Sequence, residues 1–111
     1  MESLDTRKTP RYLLAIDVEA VDVQSGTRIS AQTKSLSKAG CGVESAQLLR
    51  QGSNVSLKFT HRGEEVRAFA RVVYSRSEVG MGFALTFIEA EDERILEDWI
   101  SECLILPLHQ K

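Results

Sequence analysis

Histidine, cysteine and proline are scarce in these 111 residues, with two of each, and there is one tryptophan. Cys41 and Cys103 are too few for a disulfide scaffold, and neither stands in a C-x-x-C or Cys/His metal spacing. Both are expected to be reduced packing residues, and no metal is expected. His61 falls in an expected hairpin and His109 in the tail. Neither is paired with a nucleophile in the sequence, and no H-E-x-x-H, G-x-S-x-G, Walker A or dinucleotide fingerprint is present. The chain therefore offers no residues for an enzyme and no cofactor motif. No apolar run approaches the length of a membrane span, and the opening Met1-Glu2-Ser3-Leu4-Asp5 has no signal-peptide core, so a cytoplasmic location is expected. Excess charge is also lacking: 14 basic residues stand against 16 acidic ones, a net charge of -2. That balance excludes a protein that coats a nucleic acid polymer through its overall field, so any anion site must be local.

What is present reads as one globular domain, with 42% hydrophobic and 27% charged residues. The charges are segregated. Arg7, Lys8 and Arg11 cluster near the start, whereas Glu89, Glu91, Asp92, Glu93, Glu97 and Asp98 crowd the end. Residues 1–10 are polar, include Pro10 and have no apolar period, which predicts an extended or mobile arm. From Leu14 the pattern becomes period-2: Leu14, Ile16, Val18 and Ala20 alternate with polar or small residues, and a slip to Val21 and Val23 predicts a β-bulge near Ala20.

Ile29, Ala31 and Thr33 mark a second strand over about 27–34, ending in the polar turn 35–40. A short strand follows over 41–44, with a helical turn expected over 46–49. Val55, Leu57 and Phe59 mark the next strand, and His61-Arg62-Gly63-Glu64 the hairpin after it. The longest strand places Val66, Ala68, Ala70, Val72 and Tyr74 on one face and Phe69 on the other. The last carries Phe83, Leu85 and Phe87 as core.

After Ala90, the stripe Ile95, Leu96, Trp99, Ile100 and Cys103 predicts an amphipathic helix over about 91–105, with acidic residues in its first turn and Pro107 as its bound. Five or six short antiparallel strands in a chain this small close most economically into a barrel or a tight Greek-key sheet, which removes exposed edges; the fold class expected is mainly β, a six-stranded antiparallel Greek-key barrel over residues 11–111 with a C-terminal α-helix as its cap. A monomer and a homodimer both fit the sequence, with Trp99 and residues 104–108 supporting the dimer if that helix does not cap the barrel completely.

Two segments suit a compact, doubly phosphorylated purine ligand. In Arg7-Lys8-Thr9-Pro10-Arg11, two guanidinium groups four residues apart can grip phosphates bidentately, donate to guanine O6 and N7, or stack on a base. In Ser35-Leu36-Ser37-Lys38-Ala39-Gly40, two hydroxyls and a glycine offer polar contacts and close backbone approach. Each alone has the plain reading of a solvated basic arm or an ordinary turn.

Their order, and the strand pattern that follows, resembles the PilZ family, whose motifs are R-x-x-x-R and [D/N]-x-S-x-x-G. Arg7 and Arg11 match the first motif, and Ser37 and Gly40 the second. The resemblance spans about residues 5–103, including Gly52-x-x-Val55-x-Leu57, Ala70-Arg71-Val72-Val73 and Gly80-Met81-Gly82-Phe83. It implies a receptor for cyclic di-GMP that binds through Arg7, Arg11, Ser35, Ser37 and Gly40, with Lys8 nearby. It further implies signalling by ordering of the arm and a separate protein effector as partner.

Ser35 stands where the family has Asp or Asn. A neutral hydroxyl in place of a carboxylate loses roughly 1 kcal/mol or more per contact, which weakens binding about tenfold. That substitution favours an alternative, a degenerate domain working purely through protein contacts. A third reading, a barrel for single-stranded RNA, needs exposed aromatics among basic residues, and only Tyr12 and Phe69 are placed for it.

Overall fold

The computed structural model describes residues 14–109, with side chains through Glu102. The six strands are β1 Asp17–Asp22, β2 Arg28–Ser37, β3 Gly40–Glu44, β4 Asn54–His61, β5 Glu64–Arg76 and β6 Gly80–Ile88, followed by helix α1, Ala90–His109. They close into an antiparallel barrel in the order β1-β2-β3-β6-β5-β4. β1 seals the ring by pairing with both β2 and β4, Val18 opposite Ala31 on one side and Phe59 on the other. Two three-stranded meanders are thereby joined by one crossing segment, residues 45–53, which gives the Greek-key connection. The fold class is as the pattern predicted.

Inward-facing residues come from every strand. Val18, Ile29, Leu36, Val43, Leu57, Phe59, Val66, Val72, Met81 and Phe83 form one buried cluster. Leu49 plugs it from the crossing segment, its N–H directed at the Met81 sulfur 3.2 Å away. The opposite end is covered by α1, whose Leu96, Trp99 and Ile100 are buried in the same cluster. Trp99 also donates Nε1–H to Glu64 at 3.2 Å and takes the edge of the His61 ring at 5.3 Å. Glu102 pairs with Arg62 at 2.8 Å and Glu97 with Lys38 at 3.2 Å, so the helix is fastened to both turns at that end.

Several local expectations are corrected. β1 pairs without a register shift, so there is no bulge near Ala20; Val21 stays half-buried and Val23 is exposed. The irregularities lie instead at Thr33/Ser35, Phe69/Ala70 and Val72/Tyr74. β2 continues through Ser37, because Leu36 and Ser37 still pair with Cys41 and Gly40, which shortens the turn to Lys38-Ala39. Residues 46–49 form a bend rather than a helical turn.

Phe87 is not core. Ala70 faces Leu85 while Phe69 faces Phe87, so Thr86 is an extra residue that flips the phase and leaves Phe87 55% exposed beside Phe69. The helix runs past Pro107 to His109. Trp99 is buried in its own barrel's core.

Because Trp99 links helix, hairpin and core, Trp99→Ala is expected to cost about 3–5 kcal/mol. Urea unfolding should report this as a lower midpoint with an unchanged slope.

Candidate functional site

Strand pairing alternates inward and outward residues, and where one strand carries an extra residue every later side chain changes face. On β2, Ile29 and Thr33 point inward, and continued alternation would send Ser35 inward too. The pairing runs Thr33 with Val43 and then Ser35 with Gly42, so Lys34 is extra. Ser35 therefore turns to the outer wall and Leu36 to the core. The same occurs on β5: Val72 pairs with Phe83 and Tyr74 with Gly82, leaving Val73 extra and turning Tyr74 out of the core face on which its spacing had placed it. Gly42 lies between buried Cys41 and Val43, and Gly82 between buried Met81 and Phe83, so both face outward as well. Their mutual pairing completes one outer row, Ser35–Gly42–Gly82–Tyr74, across β2, β3, β6 and β5.

The Tyr74 side chain packs over this row, and Gly42 and Gly82 are buried beneath their neighbours. A Cβ on Gly82 would lie 2.2 Å from Cε2 of Tyr74, so the ring rests directly on the glycine. A Cβ on Gly42 would lie 3.1 Å from Ser35 Oγ and 3.3 Å from the Tyr74 hydroxyl, so the two hydroxyls flank one glycine from opposite sides. Neither hydroxyl is hydrogen-bonded to another described residue. The adjacent outer row pairs Ser37 with Gly40, Gly40 with Ala84 and Ala84 with Arg71. Arg71 is exposed and has no ion-pair partner among the described residues.

Ser37 and Gly40 shape this wall. Ser37 Oγ, buried, accepts the N–H groups of Ala39 at 3.1 Å and Gly40 at 3.2 Å, and donates to the Gly40 carbonyl at 3.3 Å. The hydroxyl thus holds the turn from within. A Cβ on Gly40 would lie 2.0 Å from the Phe83 carbonyl oxygen, so only glycine lets β3 pair with β6 at this point.

The expected Arg7, Lys8 and Arg11, together with Tyr12, lie outside the described residues. Leu14 and Ile16, however, are held against β2 near the row. Thr33 Oγ1 donates to the Leu14 carbonyl and accepts the Ile16 N–H, two residues before Ser35.

Of the residues expected from sequence, the structure brings Ser35, Ser37 and Gly40 to one end of the outer wall. Tyr74 and Arg71 were missed there, because alternation alone assigns Tyr74 to the core; only the register slip at Val73 reveals its true face.

A concavity of about 720 Å³ lies elsewhere on the wall, lined by Val21, Ser56, Phe69 and Phe87 with charged residues around them. Its basic side chains are already engaged: Arg28 and Lys58 pair with Glu19, and Arg67 pairs with Glu65. The hydrogen bond from Arg28, reinforced by the charges of Arg28 and Lys58, holds the Glu19 carboxyl below its ordinary range.

A closed six-stranded antiparallel barrel with an end-capping helix and a polar outer row near Leu14 defines the structural class. The PilZ domain model matches residues 5–102, and the chain belongs to that family. Three solved structures share the fold at low identity. The PilZ domain of CeSA from a cellulose-synthesizing bacterium is 21% identical, with a TM-score of 0.66 over 88% of this chain and 98% of that one. The PilZ domain of YcgR from Escherichia coli, with c-di-GMP, is 11% identical, with a TM-score of 0.71 over 94% and 95%. The Bacillus subtilis inhibitor of motility MotI/DgrA is 17% identical, with a TM-score of 0.71 over 95% of this chain and 52% of that one. No curated protein matches the sequence. Among the described residues no helix is long and apolar enough to cross a membrane.

Two substitutions separate wall shape from ligand contact. Gly40→Ala should destabilise the fold by at least about 2 kcal/mol, since its methyl meets backbone that cannot move aside. Ser37→Ala should cost about 1–2 kcal/mol by leaving turn N–H groups without their acceptor. Thermal melting checks both; unchanged melting of either variant would contradict the structural role assigned to it.

Proposed function

We propose that this chain is a cyclic di-GMP receptor whose ligand lies on the outer wall of β2 and β3, held between Ser35 and the Arg7/Arg11 arm. The observation that carries the reading is the anchoring of Leu14 by Thr33. Arg11 is three residues upstream of Leu14, and three residues of chain span at most about 10 Å, so a guanidinium on its own long side chain can reach the Ser35 row. Membership of the PilZ family and the fold shared with the c-di-GMP-bearing domain of YcgR support the same reading.

Arg7 and Arg11 supply bidentate donors for phosphate and guanine, and Lys8 adds charge beside them. Ser35 offers its hydroxyl to a guanine edge, while Ser37 and Gly40 keep the turn low enough for the ligand to approach backbone. Binding orders the arm, and an effector protein in the cytoplasm reads that ordering. The chain itself transforms nothing: it acts as a binding module, with no cofactor.

A second reading, a domain that has lost the nucleotide and works by protein contact alone, draws on the exposed Phe69 and Phe87 pair. Two large apolar rings side by side, each about half exposed, are what a protein partner would cover.

Calorimetry separates the two. Under the receptor reading the wild type releases heat with cyclic di-GMP, Arg11→Ala loses binding at least about tenfold, and Ser35→Asp binds about tenfold more tightly through a charge-assisted contact. Full-strength binding by Arg11→Ala would sink the proposed site, and no binding by the wild type up to about millimolar ligand would select the protein-contact reading.

A further inference from the structure

We infer that Tyr74 is a ligand-contacting residue of this site, its hydroxyl acting with Ser35 as a two-point recognition pair on either side of Gly42. The inference rests on the cyclic di-GMP reading above and adds a residue from a strand, β5, that neither sequence motif contains.

Two independent register slips produce the arrangement. Without the extra residue Lys34, Ser35 would face the core; without the extra residue Val73, Tyr74 would. Bulges of this kind re-aim single side chains beside functional sites. Here both deliver a hydroxyl to the same row, from opposite ends.

Two glycines make room for these side chains. Any side chain at Gly82 would strike the Tyr74 ring, and one at Gly42 would crowd both hydroxyls, at 3.1 and 3.3 Å. The ring is thus held flat against the sheet by packing, and its polar end is left without a partner among the described residues. A buried structural tyrosine would normally satisfy its hydroxyl within the fold; this one is half-buried and carries its hydroxyl to Gly42, on whose other side Ser35 stands.

The chemistry matches a guanine edge, which places donors and acceptors side by side. Each hydroxyl can donate and accept, so a half-buried serine and a half-buried tyrosine on either side of Gly42 can meet such an edge at two points. Ser35 alone is too short to replace the carboxylate or amide that its family carries at that position. The Tyr74 hydroxyl, arriving from β5, supplies the second polar atom. Arg71, exposed on the adjacent row, adds a positive charge on the same wall for the phosphates.

The test is a calorimetric titration of cyclic di-GMP into the full chain, comparing the wild type, Tyr74→Phe, Arg11→Ala, Ser35→Asp and the Ser35→Asp/Tyr74→Phe double variant, each checked by thermal melting. Tyr74→Phe keeps the ring over Gly82, so its melting temperature should match the wild type while Kd rises about three- to tenfold. In the Ser35→Asp background, where a carboxylate restores the missing contact, the same substitution should cost less than about twofold. Wild-type affinity in Tyr74→Phe, with binding lost in Arg11→Ala, would overturn the role of Tyr74 and leave the receptor reading standing. A lower melting temperature with unchanged Kd would also overturn it, by making the hydroxyl structural. Absence of binding by the wild type would overturn the receptor reading and this inference with it.

Discussion

Closure of the sheet by β1 against β4 is the constraint on which the rest of the structure depends. In an open sheet a one-residue register slip can be absorbed at an edge, but in a ring every slip must be reconciled with neighbours on both sides. The three irregularities in this barrel therefore have lasting consequences for which side chains face out. One leaves Phe87 beside Phe69 on the surface. The other two assemble the row of Ser35, Gly42, Gly82 and Tyr74.

The barrel's two ends are stoppered differently. Leu49 closes one end from a loop, with its N–H against the Met81 sulfur. The helix closes the other through Leu96, Trp99 and Ile100, and it is fastened to the β2–β3 turn by Lys38 and Glu97 and to the β4–β5 turn by Arg62 and Glu102. Surface ion pairs of this kind contribute at most about 1 kcal/mol each, so burial of Trp99 carries the docking and the pairs fix its direction. The turn that precedes Gly40 is thus supported from beneath by its own serine and from the side by the helix.

Much of this was legible in the sequence. Alternation located all six strands, and the acidic first turn with its apolar stripe located the helix within a few residues. Ser35, Ser37 and Gly40 were picked out by motif and do share one end of the wall. What alternation could not reveal was its own interruption. A bulge adds one residue without any composition signal, so Tyr74 and Phe87 read as core, and a bulge was expected at Ala20 where the pairing is regular. The division of labour inside the second motif was likewise hidden: Ser37 spends its hydroxyl on the turn, and Gly40 makes room for the Phe83 carbonyl, whereas the hydroxyls of Ser35 and Tyr74 have no hydrogen-bond partner among the described residues. Residue type suggested polar contact at each serine; only geometry distinguishes a hydroxyl already committed to backbone from one still open.

The central claim is that the outer row near Leu14, and not the aromatic groove, receives cyclic di-GMP. Amide chemical-shift mapping on adding that ligand tests it most directly. The account predicts perturbations concentrated at Ser35 to Gly42, Gly80 to Ala84 and Tyr74, with Phe69 and Ser56 little affected. Perturbations confined to the Phe69/Phe87 groove, or none at saturating ligand, would contradict it.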